Sequence, residues 1–236
     1  MKILTENLKN ILSREISLIG EEKVLRLVNS SVCVIGLGGV GGYVVEMLAR
    51  AGVGRMLLID CDTVSESNIN RQIIATKTTV GQKKTDVMLS RVKDINPECD
   101  AKAIDVFVTK ENAHELVQSM NTDIIVDAID NVSAKIALID AAKSEGKYIF
   151  SSMGTGNKLQ SSAYKIADIS KTSICGLARA VRRELGKKGI SGVDVLYSDE
   201  TVISQSERTP ASICYMPSVA GIMIAEHIIK KIINGR

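Results

Sequence analysis

Hydrophobic and polar positions along the chain alternate between two periods. Val32-Cys33-Val34-Ile35 and Met56-Leu57-Leu58-Ile59 are short apolar runs bounded by polar or glycine residues, and they read as buried strands. Between them, Tyr43, Val44, Met47 and Leu48 recur at helical spacing. Residues 3–12 predict a helix with Ile3, Leu4, Leu8, Ile11 and Leu12 on one side, and residues 21–27 a second. Ser13-Arg14 reads as the link between them, with Arg14 a solvated charge. A helix opening in residues 80–84 carries Val87, Met88, Val92 and Ile95 on one stripe and stops at Pro97. A strand over 101–107, a helix over 111–120, an apolar strand over 123–131 with a polar tip, a helix over 132–143 and a strand over 148–151 continue the alternation. Strand, helix, strand in this order predicts an α/β fold with a doubly wound, mostly parallel sheet.

Beyond residue 152 the pattern loosens. Residues 154–158 read as a loop and 163–168 as a strand. A helix lies within 170–188, with Leu177, Val181 and Leu185 on its apolar face. A strand follows over 193–197, then a polar, mobile loop over 198–210 and an amphipathic helix over 218–233. The expectation is a single domain over 1–236. Its Rossmann-like nucleotide-binding half is 1–152, and its substrate-binding half, 153–236, continues the sheet.

The turn between the first strand and its helix is Gly36-Leu37-Gly38-Gly39-Val40-Gly41. Gly36 permits the tight turn, Gly38 and Gly39 let backbone approach a phosphate, and Gly41 lets the helix pack closely on the strand. Amides at the helix start attract anions. The second strand ends at Asp60, where a carboxylate can accept from ribose hydroxyls. A structural glycine turn is the plain alternative, but strand, helix and acid stand where a nucleotide site needs them. NAD and ATP both remain open on this pattern.

Composition narrows the classes. Of 236 residues 45% are hydrophobic, enough for a sizeable core, and only 3% are aromatic with no Trp, which disfavours stacking platforms for single-stranded nucleic acid. A net charge of +3 names no partner by itself. Five cysteines, none in a C-x-x-C pair, argue against a disulfide framework and a paired-cysteine zinc site. Residues 1–13 lack a signal-peptide core, and no membrane span is read. The expectation is a cytoplasmic protein.

Four features favour ATP. Asn68, Arg71 and Gln72 follow the acidic strand end, with Asp62 before them. Lys84 opens the next helix. Asp130, with Asn131 beside it, tips a neighbouring strand and suits Mg²⁺ held with phosphate oxygens. Each alone reads as a surface charge, whereas the set surrounds one turn. The motifs Gly36-Leu37-Gly38-Gly39-Val40-Gly41, Asp60-x-Asp62-x-Val64-x-x-Ser67-Asn68-x-x-Arg71-Gln72, Val80-Gly81-x-x-Lys84, Ile95-Asn96-Pro97 and Asp127-Ala128-Ile129-Asp130-Asn131 resemble the adenylating superfamily of ubiquitin-activating enzymes and their bacterial sulfur-carrier counterparts. The match runs over residues 13–152. The resemblance implies adenylation of a carboxylate by ATP, with Asp60 on the ribose, Arg71 and Lys84 on phosphates, and Asp130 on Mg²⁺. It also implies a homodimer in which Arg14 acts as an arginine finger across subunits.

Ser151-Ser152-Met153-Gly154, Asn157-Lys158-Leu159, residues 167–172 and Leu177-Ala178-Arg179-x-Val181-Arg182-Arg183-Glu184-Leu185 resemble the tRNA threonylcarbamoyladenosine dehydratase branch. Ser173-Ile174-Cys175-Gly176 departs from the Asp-Pro expected before Leu177. The branch implies a tRNA partner, and Lys171, Arg179, Arg182 and Arg183 are the basic residues suited to it. A solvated helix face is the alternative. Activation of a small sulfur-carrier protein is the competing function. It would use Cys214, otherwise read as a core-facing residue, and would bring a sulfur-relay protein as partner. An NAD-dependent oxidoreductase and a non-catalytic tRNA-binding protein complete the alternatives. No DNA partner is read.

Overall fold

The structure is a computed structural model describing residues 2–202 and 211–235. Most of the polar loop expected over 198–210 lies outside the described residues. Three short helices open the chain: α1 (Glu6–Ile11), α2 (Ser13–Ile19) and α3 (Glu21–Val28). Then come β1 (Ser31–Ile35), α4 (Gly41–Arg50), β2 (Arg55–Asp60), α5 (Lys84–Ile95), β3 (Asp100–Asp105), α6 (Ala113–Ser119), β4 (Ile124–Asp127), α7 (Val132–Ser144) and β5 (Tyr148–Ser152). The last part holds β6 (Tyr164–Asp168), α8 (Gly176–Lys187), β7 (Asp194–Ser198) and α9 (Tyr215–Ile233).

The seven strands form one sheet in the order β3-β2-β1-β4-β5-β7-β6. Neighbouring strands pair in parallel except β6, which runs antiparallel to β7 at the edge. The later residues thus continue the sheet, as expected. Pleating sends Val32 and Val34 of β1 to the face covered by α4, α5 and α9, and Cys33 and Ile35 to the face covered by α6, α7 and α8. Burial on both faces explains the uninterrupted apolar runs. Strand order reverses between β1 and β4, which opens a crevice at their carboxyl ends.

One local expectation changes, and two helix starts are fixed. The link at Ser13-Arg14 is helical, because Leu12, Ile16 and Ile19 form a stripe packed with Leu8, Val24 and Val28 in a small N-terminal cluster. Helix α5 begins at Lys84, the last residue of the expected opening over 80–84. There Gly81 turns with φ 87°, its amide donates to the Val64 carbonyl at 2.8 Å, and Lys83 bridges Thr63. Helix α8 begins at Gly176. The residues before it form a tight turn over Ile169–Lys171, and the Thr172 hydroxyl donates to the Ile169 carbonyl at 2.8 Å.

The α4–α9 contact closes the core over the glycine turn. A Cβ at Gly221 would run into the Val40 carbonyl oxygen and stand 2.7 Å from the Tyr43 Cβ. Gly221→Ala should therefore push α9 from α4 and destabilise the protein by about 1–3 kcal/mol, read as a lower urea midpoint. An unchanged midpoint would show that the two helices separate freely.

Candidate active site

The glycine turn sits in the β1/β4 crevice. Gly36 has φ 90°, and a Cβ there would lie 2.8 Å from the Ala128 carbonyl carbon and oxygen. A Cβ at Gly41 would overlap the Gly36 carbonyl oxygen, so α4 can approach the turn only with glycine there. At Gly38 a Cβ would meet only the Gln72 side-chain nitrogen, at 3.8 Å, so this backbone stays open to a ligand. Gly39 instead packs on Pro217 of α9, 3.0 Å from its added Cβ. It serves packing in addition to any role on a phosphate.

The acids and bases expected here meet at the ends of β2, β1 and β4. Asp60 Oδ2 accepts the Leu37 amide at 2.6 Å and Oδ1 accepts the Asp62 amide at 2.8 Å. Its carboxylate therefore ties the strand end to the glycine turn and keeps lone pairs for further donors. Lys84 is buried, and its Nζ donates to Asp62 Oδ2 at 2.7 Å. The Lys84 ammonium holds the Asp62 carboxyl below the usual carboxylate range, against the opposing push of burial. Asn68 is buried and accepts the Ser65 amide in a capping box. Arg71 is half-buried, its Nη1 donating to the Ser67 carbonyl at 2.7 Å and to Asn70 Oδ1 at 2.9 Å. Gln72 is buried with Oε1 unpartnered among the described residues, close beside the open backbone of Gly38. Such an acceptor suits a ligand donor.

Asp130 is exposed and, among the described residues, has no hydrogen bond or ion pair. Asn131 behaves differently from its neighbour. Its Oδ1 accepts the Ala134 amide at 3.0 Å, and it caps α7. Arg14 is exposed on α2, makes no ion pair among the described residues, and shares a helix face with Leu18, which is 83% exposed.

Sequence reasoning missed the support beneath the β4 tip. Lys135 Nζ and Asp127 Oδ2 are 2.7 Å apart, with both side chains 0% exposed. The Ser151 hydroxyl donates to Asp127 Oδ2 at 2.6 Å, Lys135 donates to the Ser152 carbonyl at 3.0 Å, and the Ile129 amide donates to Asp127 Oδ1 at 3.2 Å. This network locks the ends of β4 and β5 together and shapes the turn carrying Asp130. A lysine among the apolar residues of α7, facing an acid inside an apolar strand, was the available signal.

The basic helix is less uniform than its spacing suggests. Lys171, Arg179 and Arg183 are exposed. Arg182 is not part of the outward face. Its Nη1 donates to the Thr172 carbonyl at 2.8 Å and to the Thr172 hydroxyl at 2.5 Å, bracing the loop before α8. Ala178, Val181 and Leu185 form the buried stripe, with Leu177 half-buried. Lys187 and Arg183 share Glu184 at 2.9 and 3.0 Å, and Lys188 pairs with Asp140. Cys214 is exposed before α9 and not core-facing. No helix among the described residues is long and apolar enough to cross a membrane.

Removing one partner of the Asp127–Lys135 pair should cost about 3–5 kcal/mol, because a buried carboxylate is left uncompensated. Lys135→Met, compared with wild type in urea, should show this loss. A change below about 1 kcal/mol would mean that Asp127 finds another donor.

The ThiF family model matches residues 12–236. The tRNA threonylcarbamoyladenosine dehydratase of Bacillus subtilis is 39% identical over 240 residues, covering 94% of each chain. The E. coli protein of the same name is 35% identical over 212 residues, covering 86% of this chain and 78% of its own. The sulfur carrier protein adenylyltransferase of Thermus thermophilus is 39% identical over 129 residues, 55% of this chain and 47% of its own. The crystal structure of the E. coli dehydratase in complex with ATP superposes with a TM-score of 0.92 at 30% identity, covering 99% of this chain and 98% of that one.

Proposed function

The chain belongs to the ThiF family, and from that premise we propose that it is an ATP-dependent tRNA threonylcarbamoyladenosine dehydratase. Full-length likeness to dehydratases carries this reading: 94% of both chains align with the Bacillus subtilis protein, against about half of each for the sulfur-carrier enzyme. The site supports it with an open turn at Gly38 after β1, a buried lysine at Lys84 at the start of α5 and, past the end of β4, an Asp130 carboxylate with no partner among the described residues.

The chemistry follows from the substrate. A free carboxylate is a poor electrophile. One of its oxygens attacks the α-phosphate of ATP, pyrophosphate leaves, and the threonine acyl carbon gains AMP as a leaving group. The neighbouring carbamoyl group then closes a ring at high effective concentration, and AMP departs. Lys84 and Arg71 stabilise charge on the phosphates, and Lys84 leaves Asp62 for a phosphate oxygen as ATP enters. Asp60 and Gln72 offer acceptors to the ribose, and Asn68 holds the turn that carries Arg71. Asp130 fits a Mg²⁺ held by one carboxylate with phosphate oxygens, and such an ion would screen the charge gathered on pyrophosphate. Incubation with threonylcarbamoyladenosine-containing tRNA and ATP, followed by mass spectrometry of the nucleosides, tests the reading. Loss of one water mass is the expected result, and an unchanged nucleoside with wild-type protein would overturn it.

The exposed Arg14–Leu18 face supports a homodimer in which Arg14 reaches the partner's phosphates. Arg14→Ala and Asp130→Ala should each be inactive. Mixing them with subunit exchange should restore about a quarter of wild-type activity, since heterodimers form in half the pairs and have one intact site of two. No recovery after verified exchange would exclude action in trans.

Lys171, Arg179 and Arg183 supply the tRNA contacts, while Arg182 braces the loop beneath them. Arg179→Ala with Arg183→Ala should weaken tRNA binding and flatten its salt slope by roughly one to two units, with ATP binding intact. Filter binding across a salt series reads this. An unchanged slope would leave α8 a solvated face.

A further inference from the structure

A second polar cluster lies beside the nucleotide crevice, between the carboxyl ends of β5 and β7. Lys158 is only 5% exposed there. Its Nζ lies 3.2 Å from the Gly154 carbonyl oxygen, just past β5, and 3.5 Å from that of Ser198, the last residue of β7. Both distances are long for a charge-assisted bond. The nearby acids are engaged elsewhere. Asp199 pairs with Lys165, and Glu200 accepts the Leu159 and Gln160 amides at 2.9 Å each. Among the described residues Lys158 has no carboxylate partner. Burial pushes its amine below the usual lysine range, against the opposing pull of Cys175, Glu200 and Asp199. Among those residues two backbone carbonyls and no carboxylate face this amine, so no paired charge holds a proton on Nζ.

The position is built. Asn157 adopts φ 58°, its amide donates to the Ala211 carbonyl at 2.8 Å, and its Oδ1 accepts the Ala211 amide at 2.7 Å. The next residue is thereby directed back under the strand ends. Strand order places β5 beside β4 and β7 beside β5. At about 5 Å per strand, Lys158 stands roughly 5–10 Å across the sheet from the β4 tip. On the proposed reaction, the acyl group is activated in the crevice beside that tip.

Ring closure needs a base whichever carbamoyl atom attacks. As the new bond to the acyl carbon forms, the acyl–oxygen bond to AMP breaks and its electron pair leaves with AMP. One urea N–H proton must also be lost. The residues assigned to the phosphates are cations or acceptors already engaged there. We propose that Lys158 is the general base of ring closure, taking the urea N–H proton on Nζ. This rests on the dehydratase reading.

Single-turnover kinetics separates the two half-reactions. Lys158→Met, which keeps the side-chain length without the amine, should release pyrophosphate within about threefold of wild type. Ring closure should slow by roughly 10²–10⁴-fold, with adenylated tRNA accumulating. In wild type, the ring-closure rate should rise with pH to a plateau, with a midpoint below the ordinary lysine value of about 10.4. That profile tests the proposal even if Lys158→Met does not fold. Ring closure at the wild-type rate in a folded Lys158→Met enzyme, loss of both half-reactions together, or a flat wild-type profile would each overturn it. Failure of wild type to release pyrophosphate with this tRNA would instead remove the dehydratase reading, and the assignment of Lys158 with it.

Discussion

The close approach of α4 to the end of β1 is the constraint on which the rest of the site depends. The Gly36 carbonyl fills the space that a side chain at Gly41 would need, and Gly36 itself abuts the Ala128 carbonyl at the start of the β4 turn. Two glycines thus let three backbone segments meet at the point where strand order reverses. The same contact aims the amino end of α4 into the crevice, where its amides and dipole favour a negative group. Gly221 in turn lets α9 seat closely against the first turn of α4, at Val40 and Tyr43. The position of the last helix and the shape of the nucleotide turn are therefore parts of one packing solution.

Charge around that turn is balanced before any ligand arrives. Lys84, buried and positive, is neutralised by Asp62, whose own side chain faces solvent. A buried ammonium left alone would be costly, so the pair is needed for the empty protein to hold the lysine in place. A phosphate oxygen offers the same charge with better access, which makes Asp62 a placeholder on the proposed reading. Asp127 and Lys135 work differently. They are wholly enclosed and share their remaining bonds with Ser151 and Ser152, so no ligand can exchange with them. One pair is poised for substitution and the other is fixed architecture, although both are Lys–Asp contacts of 2.7 Å.

Period and glycine spacing made β1, α4, β2 and the crevice legible, because each depends on neighbours within a few residues. The places of Asp60 at a strand end and Lys84 at a helix start were legible for the same reason, because both are marked locally. What stayed hidden depends on tertiary direction. Spacing by three and four puts Arg179 and Arg182 on one helical arc, but only the packing of α8 on the Thr172 loop shows that Arg182 turns inward. Lys158 lies in a stretch that reads only as a loop, with nothing local to mark it as buried. Its burial arises because β5 and β7, distant in the chain, close over it. Asn131 reads as a ligand because it follows Asp130, whereas its side chain is used in capping α7.

Placement across the sheet also separates the two kinds of chemistry that the proposed reaction requires. The segments that follow β2, β1 and β4 gather lysine, arginine and backbone amides, groups that stabilise anions. The ends of β5 and β7 hold a buried amine beside two carbonyl oxygens, which disfavour an anion there, while burial opposes the amine's own charge. An amine placed among the phosphate-binding groups would be held protonated by the negative charge of ATP and could not serve as a base. Two strand spacings of distance, with the Asp127–Lys135 pair enclosed between them, allow an electrophile to be made at one site and a proton removed at the other.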